Sequence, residues 1–252
     1  MVKAVRGLIE KAGRSANPVV HLCYRTVKAL GSARRFLSSP RIRSQVLTHV
    51  LYKDQQFQAE TASCDDRYPE LFTECQKRLA PLQAPRILCF GCSTGDEVFS
   101  LARYLPHAEI TGVDINPWCL EQCNRRNSDE RLSFLHRNSA AFAQAGDFDA
   151  IFCMAVFQRT EHRTKRLSPS QTGFTFDRFE AEVRMLDHKL RPGGLLFLDE
   201  SDYSFELTEV AAHYAPLGFP ENKVLRERPV FDRESRLVAE SGLFTRAFAK
   251  NT

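Results

Sequence analysis

Two glycines four residues apart, Gly91 and Gly95, and an aspartate further along, Asp114, are the residues of this chain that point most directly to chemistry. The run Phe90-Gly91-Cys92-Ser93-Thr94-Gly95-Asp96-Glu97 follows a short apolar stretch and opens a helical pattern. Glycines at such a strand-to-helix turn let the backbone bend sharply and let a ligand lie against it. Asp114 ends the next apolar stretch. A carboxylate there accepts hydrogen bonds from the two hydroxyls of a ribose, unless it is simply a solvated strand-end acid. The spacing Gly-x-x-x-Gly is not the Gly-x-Gly-x-x-Gly of dinucleotide sites, and no Gly-Lys-Ser/Thr follows it. Asp96 and Glu97 stand where a pyrophosphate would be repelled. They suit a nucleoside that carries an ammonium and a sulfonium and no phosphate, as S-adenosylmethionine does.

These residues need a frame, and the hydrophobic pattern supplies one from Arg86 onward. Apolar stretches at Ile87–Phe90, Glu109–Ile115, Leu132–His136, Phe148–Phe157 and Leu195–Leu198 read as strands. Helical patterns fall between them at Val98–Leu105, Trp118–Arg126 and Phe179–Leu190, and a turn at Arg191-Pro192-Gly193-Gly194 precedes the last strand. Such alternation predicts an α/β fold, a Rossmann-like, doubly wound, mostly parallel seven-stranded sheet with helices on both faces. Two more strands are expected around Pro229–Phe231 and Leu243–Ala249. A short helix with proline in its first turn is expected at Tyr68-Pro69-Glu70-Leu71-Phe72, with Leu71, Phe72, Cys75 and Leu79 on one face. The domain is expected over 51–252, with its cofactor-binding core at 86–200.

Four segments carry a family resemblance. Gly91-Cys92-Ser93-Thr94-Gly95-Asp96-Glu97-Val98-Phe99-Ser100-Leu101-Ala102 resembles the cofactor loop of the chemotaxis-receptor methyltransferases. Val113-Asp114-Ile115-Asn116, Phe148-Asp149-Ala150-Ile151-Phe152-Cys153 and Arg191-Pro192-Gly193-Gly194-Leu195-Leu196 resemble the second-strand, fourth-strand and fifth-strand motifs of class I S-adenosylmethionine-dependent methyltransferases. The resemblance implies S-adenosyl-L-methionine as cofactor. It places Gly91, Cys92, Ser93 and Gly95 along the methionine half, Glu97 at its amino group, Asp114 at the ribose and Ile115 against the adenine. Asn138 and Ser139 would lie near the adenine amino group, and Cys153 to Val156 beneath the methyl. Arg67 or Tyr68 is expected to close over the cofactor. The likeness to the chemoreceptor group stops after the fourth strand. That group has an Asn-Val-Leu-Ile-Tyr-like run where this chain has Ala155-Val156-Phe157-Gln158-Arg159, and no inserted β-subdomain is visible here. Its glutamate-methylating specificity therefore does not carry over.

Methyl transfer is an in-line displacement governed by proximity, to which a general base is added when the nucleophile is protonated. Candidates are Glu161, His162, Glu200, Asp202 and His213, with His162 first because a neutral imidazole is a ready base; the alternative is an exposed histidine in a polar loop. Arg159, Arg163, Lys165 and Arg166 in that loop would hold an anionic acceptor or lie in solvent. Ser168–Gly173 reads as a lid or a long connection. The expected reaction is O-methylation of a small molecule or glycan. The other readings are a protein carboxyl or nucleic-acid methyltransferase and a non-catalytic binding module.

Charge is unevenly spread. Residues 1–45 hold ten Lys or Arg against Glu10, and the other 207 residues hold 25 against 30 Asp or Glu. A basic helical extension over 1–50, with apolar residues at helical spacing in Val2, Val5, Leu8, Ile9 and in Leu22, Val27, Leu30, is expected. It suits an anionic membrane surface, an organelle transit segment or a solvated helix packed on the domain. The acidic body argues against nucleic acid as partner. The eight cysteines sit largely in apolar runs, as in a reducing compartment. Cys119 and Cys123 lack the companions of a metal site, so no metal is expected. With no secretory signal or apolar span, a cytoplasmic location, peripheral at the membrane through the arm, is expected.

Overall fold

The computed structural model describes residues 18–58, 60, 61 and 63–252. The helical pattern expected at 2–9 lies outside them. The chain divides into two compact units, the first ending at Leu51 and the second spanning Tyr52–Thr252. The first contains α1 (Pro18–Ser38) and α2 (Pro40–Leu51), each opening on a proline, whose missing N–H costs nothing at a first turn.

The second unit is built on one sheet. Its strands are β1 (Arg86–Phe90), β2 (Glu109–Asp114), β3 (Leu132–His136), β4 (Phe148–Met154), β5 (Leu190–Asp199), β6 (Tyr214–Pro216) and β11 (Ala247–Lys250). They lie in the order β3-β2-β1-β4-β5-β11-β6. The first five are parallel, and β11 runs antiparallel between β5 and β6. This is the expected seven-stranded, doubly wound Rossmann-like sheet. The strand order reverses between β1 and β4, and at such a point the loops diverge and leave a crevice beyond the carboxyl ends. Four short strands, β7 (Lys223–Arg226), β8 (Val230–Phe231), β9 (Leu237–Ala239) and β10 (Gly242–Thr245), pair as β10-β7 and β8-β9 outside that sheet. The strand expected at 243–249 is thus two strands in two sheets, parted at Arg246.

Helices cover both faces. They are α3 (Pro69–Leu79), α4 (Asp96–Tyr104), α5 (Pro117–Arg126), α6 (Ala140–Gln144), α7 (Thr160–Thr164), α8 (Pro169–Thr172) and α9 (Phe176–Lys189). Alternation along β1 sends Ile87 and Cys89 into one core with Leu71, Phe72 and Cys75 of α3 and Val98 and Leu101 of α4. Leu88 and Phe90 enter the other core with Phe179, Val183 and Leu186 of α9. Phe152 of β4 stacks on Phe197 of β5 with ring centroids 4.3 Å apart. Each such side chain contributes roughly 1.5–3 kcal/mol by leaving water, so the sheet that carries the site is the rigid part of the unit. The turn expected at 191–194 is a bulge inside β5, because Leu190 already pairs with Phe148 before the regular register resumes at Ala150 and Leu195. Among the described residues no helix is long and apolar enough to cross a membrane.

Candidate active site

A cavity of about 260 Å³ opens beyond the carboxyl ends of β1, β2, β4 and β5. Its floor is the turn after β1. Gly91 adopts φ +77°, and a Cβ there would stand 2.3 Å from Val156 Cγ2, so only glycine lets this turn approach the end of β4. The Gly91 and Cys92 amides both donate to the Val113 carbonyl, at 2.7 and 3.0 Å. Gly95, at φ +87°, is the N-cap of α4, and a Cβ there would meet Phe99 and the Cys123 sulfur. Non-glycine residues in the same left-handed region, Ser93, Ala155 and Glu200, follow β1, β4 and β5 and all line the cavity. Left-handed backbone at L-residues costs about 1–3 kcal/mol apiece and collects where a site demands it.

The acids of the turn part company. Asp96 faces outward and pairs with Arg126 at 2.7 Å. Glu97 faces the cavity, and burial pushes its carboxyl up to about 8, opposed by a hydrogen bond from the Cys89 thiol and by the more distant Arg67. Asp114 accepts the Ser93 amide on Oδ2 and the Asn116 amide on Oδ1, each at 2.8 Å. These bonds oppose the burial that raises its carboxyl, and they fix its plane at the cavity wall. Neither Glu97 nor Asp114 has an ion-pair partner among the described residues. Ile115 lines the cavity beside Asp114.

On the opposite side the charges are paired differently. Glu200 accepts Arg67 Nη2 at 2.6 Å and the Tyr68 hydroxyl at 3.2 Å on one oxygen, and Arg228 Nη2 at 3.3 Å on the other. The next residue back, Asp199, is fully buried between Arg226 and Arg246, and its Oδ1 accepts the Glu200 amide at 2.7 Å. Arg246 continues to Glu70 of α3 at 2.7 Å. This chain of ion pairs sets the conformation in which Glu200 meets the cavity.

The structure brings Gly91, Cys92, Ser93, Glu97, Asp114 and Ile115 to one cavity, with Arg67 and Tyr68 at its edge. Glu200, Arg163, Ala155 and Val156, also expected near the cofactor or acceptor, line it too, and the remaining expected residues do not. Cys153 points into the core with α9, so the wall after β4 is Met154, Ala155 and Val156. Asn138 is exposed, and Ser139 caps α6 by accepting the Phe142 amide; Arg137 lines the cavity instead. His162, expected as a general base, does not line the cavity. Its side chain is fully buried, with Nδ1 2.7 Å from Asp202 Oδ2 and Nε2 2.8 Å from Thr172 Oγ1, so both nitrogens are engaged away from the cavity. Thr172 belongs to α8, and the segment expected as a lid or connection is a capped turn bonded to that histidine. Glu161 and His213 do not line the cavity either. A wall over the turn, formed by Gln55 to Gln58, Glu60, Thr61, Ser63 and Cys64, was not anticipated from the sequence; Ser93 Oγ donating to the Thr61 carbonyl at 3.0 Å helps hold it down.

Comparison with known proteins coincides with this geometry. Residues 87–168 match the model of the methyltransferase domain family. The matched stretch of the methyltransferase domain runs from β1 to the start of α8 and contains the glycine turn and Asp114. The chain is 28% identical over 144 residues to a ubiquinone biosynthesis O-methyltransferase of Xanthomonas axonopodis pv. citri, covering 54% of this chain and 52% of that protein. It is 32% identical over 114 residues to a trans-aconitate 2-methyltransferase of Methylobacterium radiotolerans, covering 44% of this chain and 42% of that one. This chain thus spans about half the length, or less, of these curated relatives. A solved structure of the plantazolicin methyltransferase BpumL with SAH is 17% identical, covers 66% of this chain and 56% of its own, and superposes with a TM-score of 0.39.

Proposed function

We propose that this protein is an S-adenosylmethionine-dependent methyltransferase that methylates an oxygen of a small molecule or glycan. One observation carries the reading: Glu97 and Asp114, two carboxyl groups that form no ion pair among the described residues, face one cavity across a glycine turn in a stretch that matches a methyltransferase domain. The cofactor supplies a methyl group activated on a sulfonium. Gly91, Cys92 and Ser93 lie along its methionine half, with Gly95 shaping the turn from behind, and Glu97 takes the amino group, as in the loop of the chemoreceptor type. Asp114, its plane set by two backbone amides, accepts the ribose hydroxyls, and Ile115 packs on the adenine. Arg137 takes the edge assigned from sequence to Asn138 and Ser139. Met154 to Val156 form the wall beside the reacting carbon, and Gln55 to Gln58, with Thr61 and Ser63, shield it from water. The names of the two curated relatives, an O-methyltransferase and a methyltransferase of trans-aconitate, support oxygen and small-molecule chemistry. Titration with S-adenosylhomocysteine tests the reading; saturable binding is expected.

We also propose an anionic lipid surface as the partner of the first unit, with the protein cytoplasmic and peripheral. Residues 18–51 contain Arg25, Lys28, Arg34, Arg35, Arg41 and Arg43 and no acid. On α1 and α2 the apolar Leu30, Leu37, Val46, Leu47, Val50 and Leu51 are exposed. A helix pair that shows both cations and apolar side chains has the makings of an interfacial element.

A further inference from the structure

The cavity has two ends of opposite character. At the ends of β1 and β2 its wall carries the unpaired acids Glu97 and Asp114. At the ends of β4 and β5 cations are in surplus. Arg67 and Arg228 share the single carboxylate of Glu200. Arg163, on α7, lines the same end and is held by the amide oxygen of Gln158, a neutral partner whose own Nε2 donates to the Ala155 carbonyl at 3.0 Å. Among the described residues no carboxylate pairs with Arg163. Behind it Arg228 is 7% exposed, and its buried Nη1 has no hydrogen-bond partner. Of the other acids of this end, Asp199 lies between Arg226 and Arg246, and Asp202 holds His162 and the Arg159 amide on Oδ2 while its Oδ1 has no hydrogen-bond partner. Of the guanidiniums at this end Arg163 is the one that lines the cavity with no carboxylate paired to it, and a guanidinium tethered through a neutral amide keeps N–H donors for a ligand.

The base that a hydroxyl acceptor would need is also missing from this end. Among the described residues no histidine lines the cavity, and each oxygen of Glu200 already accepts a guanidinium. A hydrogen bond with Cys123, together with burial, raises the Cys92 thiol well above its ordinary value, so it is no substitute.

From this juxtaposition we infer that the acceptor is a small carboxylic acid, anchored by Arg163 at the β4–β5 end of the cavity and methylated on a carboxylate oxygen. The inference rests on the methyltransferase reading above and names its substrate class. The step balances without a base. A lone pair of the carboxylate oxygen forms the new O–C bond, the S–C bond breaks, and its electron pair returns to sulfur. The sulfonium and the carboxylate are both neutralised, and no proton is released. The ester product no longer offers Arg163 an anion, which favours its departure.

The test uses the full chain in three forms, wild type, Arg163→Gln and Arg163→Lys. Each is titrated with S-adenosylhomocysteine and, once saturated, with mono-, di- and tricarboxylic acids of aliphatic and aromatic type, trans-aconitate among them, and with their amides. With labelled S-adenosylmethionine, label is then sought in base-labile methyl esters, read as methanol after mild alkali. The expected result is that at least one acid binds, its amide does not, Arg163→Gln weakens the acid at least tenfold, and Arg163→Lys weakens it less. Homocysteine-cofactor affinity should stay within twofold in both variants, which also shows them folded. Binding of S-adenosylhomocysteine with no acid bound, an acid bound equally by Arg163→Gln, or label only in base-stable ethers would overturn the carboxylate assignment alone. Failure of S-adenosylhomocysteine to bind the wild type would instead overturn the methyltransferase reading beneath it.

Discussion

Glu97 and Asp114 are neighbours in the cavity but are held in different ways. Asp114 is fixed by two amides, whereas Glu97 waits for a cation with its carboxyl raised to about 8 by burial. At pH 7 the free protein therefore holds Glu97 largely protonated, and a ligand ammonium that needs the carboxylate must expel the proton. Binding of S-adenosylhomocysteine should release about one proton at pH 7 and tighten as pH rises toward 8. Calorimetry in buffers of different ionisation enthalpy measures this; enthalpies independent of the buffer would contradict it. The sign for stability is the reverse of an ordinary paired acid. Because the folded carboxyl lies above its unfolded value, its cost is absent below the unfolded pKa, grows through the interval, and is complete above 8. Glu97→Gln should thus raise the thermal midpoint of the ligand-free protein at pH 8, at roughly 2–4 °C per kcal/mol regained, leave it unchanged near pH 4, and abolish the proton release. The glycine turn and these acids were legible because the signal is local, a strand, a sharp turn and a helix within a dozen residues. The resemblance also set Glu97 inward, but the outward turn of Asp96 was not legible, since it depends on Arg126, which arrives from α5.

Elements bring together what sequence separates, and His162 shows the consequence. Its own neighbours, Thr160 to Thr164, are polar and suggest an exposed loop. Its partners are Asp202, 40 residues on, and Thr172 in α8. The histidine therefore ties α7 and α8 to the segment after β5. His162→Ala leaves the buried Asp202 without that partner and should cost about 3 kcal/mol of stability, with methyl transfer per folded molecule changed only a few-fold. Thermal denaturation and a single-turnover assay on the same samples decide. An unchanged melting midpoint with transfer reduced a hundredfold would restore His162 as a base. The same limit explains why the sheet was readable and the wall over it was not. Each parallel strand announces itself by a run of apolar residues, whereas the residues of that wall have no period and are held through contacts such as Thr61 with Ser93.

For the whole molecule, charge and cover divide along the chain. The basic pair α1–α2 forms a unit of its own, and the second unit contains a complete sheet and both cores. Sedimentation with vesicles should show the full chain bound to phosphatidylserine-containing liposomes and released as salt rises, and a chain beginning at Tyr52 left in solution. Equal binding to neutral vesicles, or none to either, would remove the lipid assignment and leave the methyltransferase account untouched. That account rests on the cavity holding the cofactor through Asp114. The most direct measurement is calorimetric titration of the wild type and of Asp114→Ala with S-adenosylhomocysteine. The account predicts saturable one-site binding to the wild type and at least a tenfold weaker affinity in a variant that melts cooperatively. No binding to the folded wild type, or equal binding by the variant, would contradict it.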